Sequence, residues 1–157
     1  MTLQTVTYRV AELSDVPAMA AIRALEWGTE ENWNTRIMGY LNGEVYPQHA
    51  LRPRVSYVAC NAEQVLGFVA GHLTRRHGCD GELEWINVIP EHRGSGIASG
   101  LIQRLAQWFI ENQAKKVCID VQPTNLVARK FYCRHGATDL NPHWMVWNDV
   151  GVVLANH

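Results

Sequence analysis

The sequence predicts an α/β (α+β) fold with a mixed, mostly antiparallel central sheet and helices on both faces. Two apolar stretches, 55–60 and 65–72, are separated by the short polar segment Asn-Ala-Glu-Gln, which is typical of an antiparallel hairpin. An extended stretch at 82–89, a helical stretch at 97–112 and a short apolar stretch at 117–121 have the lengths of a parallel βαβ crossover. The resulting order of elements is β-α-α-β-β-β-α-β-α-β(-β).

The first third of the chain predicts one strand and two helices. Residues 5–10 form the strand, and Ser14 is expected to be the N-cap of the helix that follows, with Asp15 in its first turn. The apolar stripe of this helix consists of Ala18, Ala21, Ile22 and Leu25. A second helix is expected over 30–41, ended by Asn42-Gly43. Residues 44–53 contain two prolines and are expected to be loop.

The second half of the chain predicts the remaining elements. Residues 74–81 are polar and are expected to turn the chain before the strand at 82–89. The helix at 97–112 has a strong apolar face, formed by Ile97, Leu101, Leu105 and Trp108. A last helix over 125–135 is stopped by Gly136, and residues 144–147 and 150–154 are expected to be terminal strands.

Composition narrows the classes of protein and of partner. The chain has 157 residues and is expected to fold as one domain, 1–157. Its formal net charge of −1 gives no general attraction for nucleic acid or for a membrane surface. No two of the four cysteines stand at C-x-x-C spacing and no histidine pair has ligand spacing, so no metal site is expected. Without a signal-peptide pattern or a membrane-spanning stretch, a cytoplasmic location is expected.

The most informative segment is the glycine-rich turn between the strand at 82–89 and the helix at 97–112. Arg93, Gly94 and Gly96 precede the first helical turn, whose backbone N–H groups have no partner within the helix. Such N–H groups at the positive end of a helix dipole form an anion site. The turn therefore predicts a ligand that carries phosphate.

Two common phosphate-binding motifs fit this turn poorly. A dinucleotide fingerprint would use Gly94, Gly96 and Gly100, with Asp120 near the expected ribose-binding position. That unit normally opens a doubly wound sheet, whereas here it begins late in the chain and follows an antiparallel hairpin. Ser99 also stands where the third Gly or Ala of the fingerprint is expected. A Walker P-loop is excluded because no Gly-Lys-Ser/Thr follows the turn.

The register of the turn fits a different family. Arg93-x-x-Gly96-x-Ala98 follows a strand that ends Val88-x-Pro90, and Asn125 stands seven residues before Tyr132 in a Phe-Tyr-x-x-x-Gly-Ala segment. With these two motifs in order, the chain resembles the GNAT superfamily of N-acetyltransferases over roughly residues 5–155.

The resemblance implies a GNAT-like acyl-CoA N-acyltransferase fold that takes acetyl-CoA as co-substrate. It implies that the strands at 82–89 and 117–121 splay apart, that the pantetheine arm pairs with the backbone at 86–88, and that the loop amides hold the pyrophosphate. It also makes Arg129 or Lys130 a candidate for the 3′-phosphate. The implied coenzyme contacts are Ile86, Asn87, Val88, Arg93, Gly94, Ser95, Gly96, Ile97, Ala98, Ser99, Asn125 and Tyr132.

The implied chemistry is transfer of an acetyl group to a primary amine by direct, sequential attack. Tyr132 matches the family's general acid, which would protonate the departing thiolate. The general base stays open between Glu82 and Glu84, which strand alternation places on one face, and Asp120, whose carboxyl pKa burial should raise. An N–H group of Val88 would face the thioester carbonyl.

The acceptor is an unidentified small molecule or protein. The resemblance implies a pocket built from the first two helices and the C-terminal strands, and its acidic and aromatic residues would suit a cationic amine. The candidates are Glu26, Trp27, Glu30, Glu31, Trp33, Tyr40, Trp144 and Trp147. By analogy, a homodimer through the C-terminal strands is compatible with the family. The alternative function is a non-catalytic acyl-CoA-binding sensor or interaction module on the same fold.

Overall fold

The computed structural model describes residues 5–155 and contains one open sheet of seven strands in the order β1-β2-β3-β4-β5-β7-β6. The strands are β1 (Thr7–Val10), β2 (Ala50–Cys60), β3 (Val65–Thr74), β4 (Gly81–Val88), β5 (Val117–Asp120), β6 (Thr138–Asn141) and β7 (Trp144–Trp147). The helices are α1 (Val16–Ala24), α2 (Glu30–Asn42), α3 (Ile97–Glu111), α4 (Leu126–Arg134) and α5 (Val152–Ala155). Only β4 and β5 pair in parallel within the described range, so the predicted mixed and mostly antiparallel sheet is confirmed.

Two apolar layers cover the sheet. Helices α1 and α2 pack on one face, where Met19, Ile37 and Tyr40 meet Phe68 and Trp85 of the sheet. Helix α3 covers the other face together with α4 and α5, and its side chains Leu101, Ile102, Leu105 and Phe109 are fully buried there. The face covered by α1 and α2 is called the α1–α2 face below, and the opposite one the α3 face.

The start of α1 differs from the sequence prediction. Ser14 is exposed within a short 3₁₀ turn, so the expectation that it caps the helix is wrong. Asp15 is the buried residue at this point, because its carboxylate accepts two hydrogen bonds from Arg9 at 2.7 and 2.9 Å and one from the Glu12 N–H at 2.8 Å. This carboxylate joins the end of β1 to the beginning of α1. The end of α2 is as predicted, since Gly43 adopts a left-handed φ of 75°.

Three further predictions about elements are corrected. Strand β2 begins at Ala50 rather than at residue 55, and its register with β3 is irregular between Ala50 and Arg54, where Pro53, which lacks an N–H, is tolerated. The polar segment at 138–141 is a strand that pairs with β7, although it has no apolar alternation. Residues 150–154 do not form a strand, because Val150 and Val153 are buried against the α3 layer and the chain makes a short helix instead.

Strands β4 and β5 separate soon after they meet. Their parallel register covers only Gly81 to Leu83 against Val117 to Ile119, while β4 continues to Val88. A register shift against β3 places an extra residue at Glu84. This gap between β4 and β5 opens the sheet beside the glycine-rich turn. Among residues 5–155, no helix is both long enough and apolar enough to cross a lipid bilayer.

Candidate functional site

The glycine-rich turn forms an open cradle at the beginning of α3. Gly94 and Gly96 have φ values of 80° and 88°, and a Cβ at either position would meet nothing within 4 Å. The first backbone bond of the helix runs from the Gly100 N–H to the Gly96 carbonyl at 3.0 Å. The N–H groups of residues 97–99 precede that bond and therefore point out of the helix end, where an anion is stabilised.

The side chains of this turn bond within the protein. The Arg93 guanidinium donates to the Val88 carbonyl at 3.1 Å and forms an ion pair with Glu26. The Ser95 hydroxyl donates to the His92 carbonyl, and the Ser99 hydroxyl lies 3.0 Å from Nε2 of His135. The turn therefore offers a ligand its backbone amides rather than its hydroxyls.

Strand β4 presents backbone groups to the gap. The Ile89 N–H donates to the Leu66 carbonyl of the hairpin at 2.9 Å, and successive N–H groups of a strand point to opposite edges. The N–H groups of Val88 and Ile86 consequently face the gap, while that of Asn87 faces β3. Asn87 contributes its side chain instead, whose amide oxygen accepts from Arg23 at 2.9 Å.

Tyr132 reaches the gap from the α3 face. Its ring packs edge-on against Trp147 with centroids 5.9 Å apart, and the residue is buried. Within residues 5–155 its hydroxyl forms no hydrogen bond. Burial raises the pKa of the Tyr132 phenol, an effect that the charge of Arg23 partly offsets. Tyr132 is therefore a protonated phenol at neutral pH.

Two carboxylates and an imidazole meet on the α1–α2 face. Glu82 and Glu84 both approach His72, with Nε2 of His72 3.7 Å from Glu82 and Nδ1 3.9 Å from Glu84. The Tyr40 hydroxyl lies 3.1 Å from Nδ1, and Arg76 donates to Glu82 at 3.0 Å. The structure thus brings together two of the three predicted candidate bases, and it adds His72, which the sequence analysis did not single out.

Of the three candidate carboxylates, Glu84 has the electrostatic environment that suits a general base best. Burial raises the pKa of the Glu84 carboxyl, and the nearby His72 lowers it in part. Glu82 is buried and ion-paired with Arg76, so its carboxylate is already occupied. Asp120 ends β5 and is exposed, although partial burial raises its carboxyl pKa in the direction that the sequence predicted.

The same three residues also have the composition of a metal site. His72, Glu82 and Glu84 offer ligand atoms that lie within 4.8 Å of one another. The Arg76 guanidinium already binds Glu82 and adds a positive charge, and the Tyr40 hydroxyl already contacts Nδ1 of His72. This environment suits proton transfer better than binding of a cation.

A partly buried arginine of α1 interacts with several charged or titratable groups of the site. Arg23 interacts electrostatically with Glu26 and Arg36 and, less strongly, with Glu84 and Tyr132, and its Nε atom is buried without a hydrogen-bond partner among the described residues. Its guanidinium lies 4.8 Å from the Trp33 ring, and that of the exposed Arg36 lies 4.6 Å from the same ring. The sequence analysis missed Arg23, yet its spacing of seven from Val16 and four from Met19 placed a charge on the buried face of α1.

The predicted acceptor residues divide into several groups. Trp33 and Tyr40 are buried and pack against Trp85, with centroids 5.7 and 5.0 Å away. Glu26 is ion-paired with Arg93, and Trp27 is half exposed beside Arg23. Residues Glu30 and Glu31 are exposed in the first turn of α2, where they favour the helix dipole. Trp144 contacts Arg76 and His77, whereas Trp147 lies on the α3 face behind Tyr132.

The motif around α4 contains two residues whose side chains stabilise the fold and one whose side chain is exposed. Asn125 caps the helix, with its side chain accepting from the Ala128 N–H at 3.1 Å. The Arg129 guanidinium binds the carboxylate of Asp139 and backbone carbonyls, which ties α4 to the C-terminal strands. Arg129 is thus committed to the fold, whereas Lys130 is exposed.

Comparison with known proteins agrees with this architecture. The family model of the acetyltransferase (GNAT) family matches residues 19–137. The structure resembles an acetyltransferase from Thermus thermophilus (TM-score 0.68, 18% identity, 94% of this chain and 99% of that one). It also resembles a GNAT family N-acetyltransferase from Escherichia coli in complex with CoA, with a TM-score of 0.70 and 17% identity, covering 98% of this chain and 87% of that one. A third similar structure is an aminoglycoside antibiotic 6′-N-acetyltransferase from Acinetobacter haemolyticus, with a TM-score of 0.72 and 18% identity, covering 86% of this chain and 92% of that one. Comparison with curated proteins finds no match.

The sheet order, the gap and the matched family model together define an acyltransferase. Within that class, the chain belongs to the acetyltransferase (GNAT) family, as the two sequence motifs predicted. The three solved structures are less than 25% identical and therefore support the fold alone.

Proposed function

We propose that the protein transfers an acetyl group from acetyl-CoA to a primary amine by direct attack within a ternary complex. The observation that carries this proposal is the open cradle at the beginning of α3, which adjoins the point where β4 and β5 separate. Arg23 interacts electrostatically both with Glu84, the candidate base, and with Tyr132, the candidate acid, which supports a shared site beside this cradle.

Coenzyme A fits the cradle and the gap. The pyrophosphate would lie on the N–H groups of residues 97–99, which the glycine conformations leave accessible. The pantetheine arm would follow β4, where the N–H groups of Ile86 and Val88 face the gap. A thioester carbonyl near Val88 would accept its N–H and gain stabilisation as charge develops on the oxygen.

Each step of the transfer has a suitable group. Glu84, whose carboxyl pKa burial raises, accepts a proton from the incoming ammonium, directly or through water. The neutral amine attacks the thioester carbon, the C–S bond breaks, and the amide nitrogen releases its second proton through water to the phenolate that Tyr132 becomes when it protonates the sulfur. Tyr132, whose raised pKa keeps it protonated, donates its proton to the departing sulfur. His72 and Tyr40 lie behind Glu84 and would carry its proton onward.

Direct transfer is favoured because the cysteines offer no evident acyl carrier. Burial raises the thiol pKa of Cys79 and Cys118, so both stay protonated and unreactive. Cys133 is exposed on α4. Steady-state kinetics should therefore give intersecting initial-velocity lines, and parallel lines would argue for an acyl-enzyme.

The deciding experiment combines a thiol-release assay with the Tyr132→Phe variant. Wild-type protein should release free thiol from acetyl-CoA with at least one class of amine. Tyr132→Phe should slow turnover by about a hundredfold, the usual size of general-acid catalysis, while coenzyme A still raises the melting temperature. Tyr57→Phe is the matched control, since it also removes a partly buried phenol with a raised pKa but lies on β2.

Two outcomes would contradict the proposal. Unchanged turnover in Tyr132→Phe would remove the role given to that phenol. Coenzyme binding without thiol release for any amine would favour the alternative, a non-catalytic acyl-CoA-binding module.

A further inference from the structure

The charges beside Glu84 differ from those that the sequence suggested. Of the acidic candidates, Glu26 is ion-paired with Arg93, and Glu30 and Glu31 are exposed at the start of α2. The charged groups that approach Glu84 from the two helices are instead guanidiniums. Arg23 of α1 and Arg36 of α2 both interact electrostatically with the Glu84 carboxyl.

Neither guanidinium forms a close ion pair in the described part of the chain, since no side-chain carboxylate lies within 4 Å of Arg23 or Arg36 there, although Glu26 acts electrostatically on Arg23 and Glu84 acts on both. Both lie over the Trp33 ring, so two like charges share one indole. The two charges repel each other, since Arg36 lowers the pKa of Arg23, and an anion that contacts both would relieve that repulsion. One Nη atom of Arg23 donates to the Asn87 side chain at 2.9 Å, and its buried Nε has no hydrogen-bond partner within 5–155, so the donors of this guanidinium are only partly used.

Resting on the proposed acetyl transfer, we propose that the acceptor is a small amine that carries a carboxylate, an amino acid or a close analogue. Its carboxylate binds between Arg23 and Arg36, and its amine faces Glu84. A planar carboxylate matches the fork of donors on a guanidinium, which favours it over a larger anion. The same arrangement orients the acceptor, because its two opposite charges are attracted to opposite ends of the pocket.

Aromatic surface surrounds this arrangement. Trp33 and Trp85 form the buried wall, and the half-exposed Trp27 lies in the loop between α1 and α2 beside Arg23. An open cavity of about 310 Å³ lies on the Arg36 side of this arrangement, lined by Trp33, Arg36, Gly28, Asn32 and Thr35. These surfaces leave room for an apolar side chain of the acceptor.

The test compares matched acceptors with acetyl-CoA held constant. L-Phenylalanine is measured against L-phenylalaninamide and phenethylamine, and L-methionine against L-methioninamide, with O-phosphoethanolamine and spermidine as other amine classes. The carboxylates should have a kcat/KM at least about tenfold above their amides, the size of a charged hydrogen bond. This preference opposes intrinsic reactivity, because the amine of the amide is less basic and loses its proton more easily.

Variants assign the preference to the two arginines. Arg36→Gln should raise the KM for the amino acid at least about tenfold and leave the KM for acetyl-CoA unchanged, and Arg23→Gln should raise the KM for the amino acid to a similar degree. Arg52→Gln, which removes an exposed guanidinium from β2, is the matched control and should change neither. Because Arg36 is exposed, its variant should fold even where Arg23→Gln does not. Calorimetric titration of L-phenylalanine into protein saturated with coenzyme A gives a readout independent of turnover.

The outcomes separate this inference from the proposed function. Equal transfer to carboxylates and amides, or a preference for O-phosphoethanolamine or spermidine, overturns the carboxylate site while acetyl transfer stands. A carboxylate preference that survives Arg36→Gln and Arg23→Gln overturns the assignment to these arginines. Absence of transfer to every amine defeats the proposed function itself, and the inference with it.

Discussion

At the scale of single residues, the chain distinguishes three carboxylates by their surroundings. Glu82 is bound by Arg76, and Asp120 is exposed at the end of its strand. Glu84 is the extra residue of a bulge, so it leaves the regular ladder and turns toward His72. A bulge commonly re-aims a side chain beside an active site, and here it gives Glu84 a buried position with access to the gap.

The pH dependence of catalysis tests this choice. A general base must be deprotonated, and burial raises the pKa of Glu84, so kcat/KM should rise with pH through that raised pKa. Glu84→Gln should abolish the rise and lower kcat/KM by about a hundredfold. The measurement is a pH–rate profile of wild type and variant. Glu111→Gln, an exposed change on α3, should keep the wild-type profile. If Asp120→Asn abolishes the rise and Glu84→Gln does not, Asp120 is the base.

The sequence identified residues of recognisable chemistry better than those that depend on packing. Tyr132, Glu82 and Glu84 stand in motifs or in strand alternation, which are local properties of the chain. The positions of Arg23 and His72 beside Glu84 depend on how α1, α2 and β3 pack together, and no local pattern encodes that. The sequence predicts an acidic acceptor pocket for the same reason. No local pattern shows that Glu26 pairs with Arg93, because the two residues are far apart in the sequence.

At the scale of elements, local sequence signals predict the long helices correctly and fail for short segments whose own propensity is weak. Helix α3 has a continuous apolar face and was predicted almost to its ends. Strand β6 is polar and forms because β7 offers it a free edge, and α5 forms because Val153 is buried in the α3 layer. Tertiary packing decides such short segments, whose own propensity is weak.

The junction of β1 and α1 allows a stability prediction. Hydrogen bonds from Arg9 lower the pKa of the Asp15 carboxyl, so this group stabilises the fold above its unfolded pKa of about 3.9 and loses that effect as pH falls through the lower folded pKa. Asp15→Asn should reduce the free energy of unfolding at pH 7 by about 1–3 kcal/mol. Urea denaturation at several pH values should show the difference from wild type shrinking in acid. Asp149→Asn, which keeps its turn hydrogen bond, should cost little at any pH.

The glycine cradle allows a prediction with a closely matched control. Gly96 and Gly78 have φ values of 88° and 71°, and a Cβ at either would meet nothing within 4 Å. Replacement by Ala should therefore destabilise both similarly, by about 1–2 kcal/mol, because the left-handed conformation is strained for an L-residue. Only Gly96→Ala should also weaken coenzyme A binding, since its methyl group enters the cradle. Titration calorimetry with both variants checks this, and equal affinities would place the pyrophosphate elsewhere.

At the scale of the whole molecule, the gap between β4 and β5 brings the two faces of the sheet together. Glu84 and Arg23 belong to the α1–α2 face, whereas Tyr132 approaches from the α3 face. In a continuous sheet the backbone ladder would separate a base on one face from an acid on the other. Because the two strands share only three register pairs, the ladder is interrupted beside Glu84, and Arg23 interacts electrostatically with both Glu84 and Tyr132.

Hydrogen exchange tests whether the coenzyme fills this opening. At a coenzyme A concentration of about 100 Kd, amides that exchange only after ligand release should slow by about a hundredfold. We expect this at Ile86 and Val88, whose N–H groups face the gap, and less at Asn87, which pairs with Phe68 of β3. Amides in the β2–β3 turn, such as Gln64, exchange by local opening and should not change. Protection limited to residues 94–99 would mean that the coenzyme binds only through its phosphates, and that the gap does not hold the thioester between acid and base.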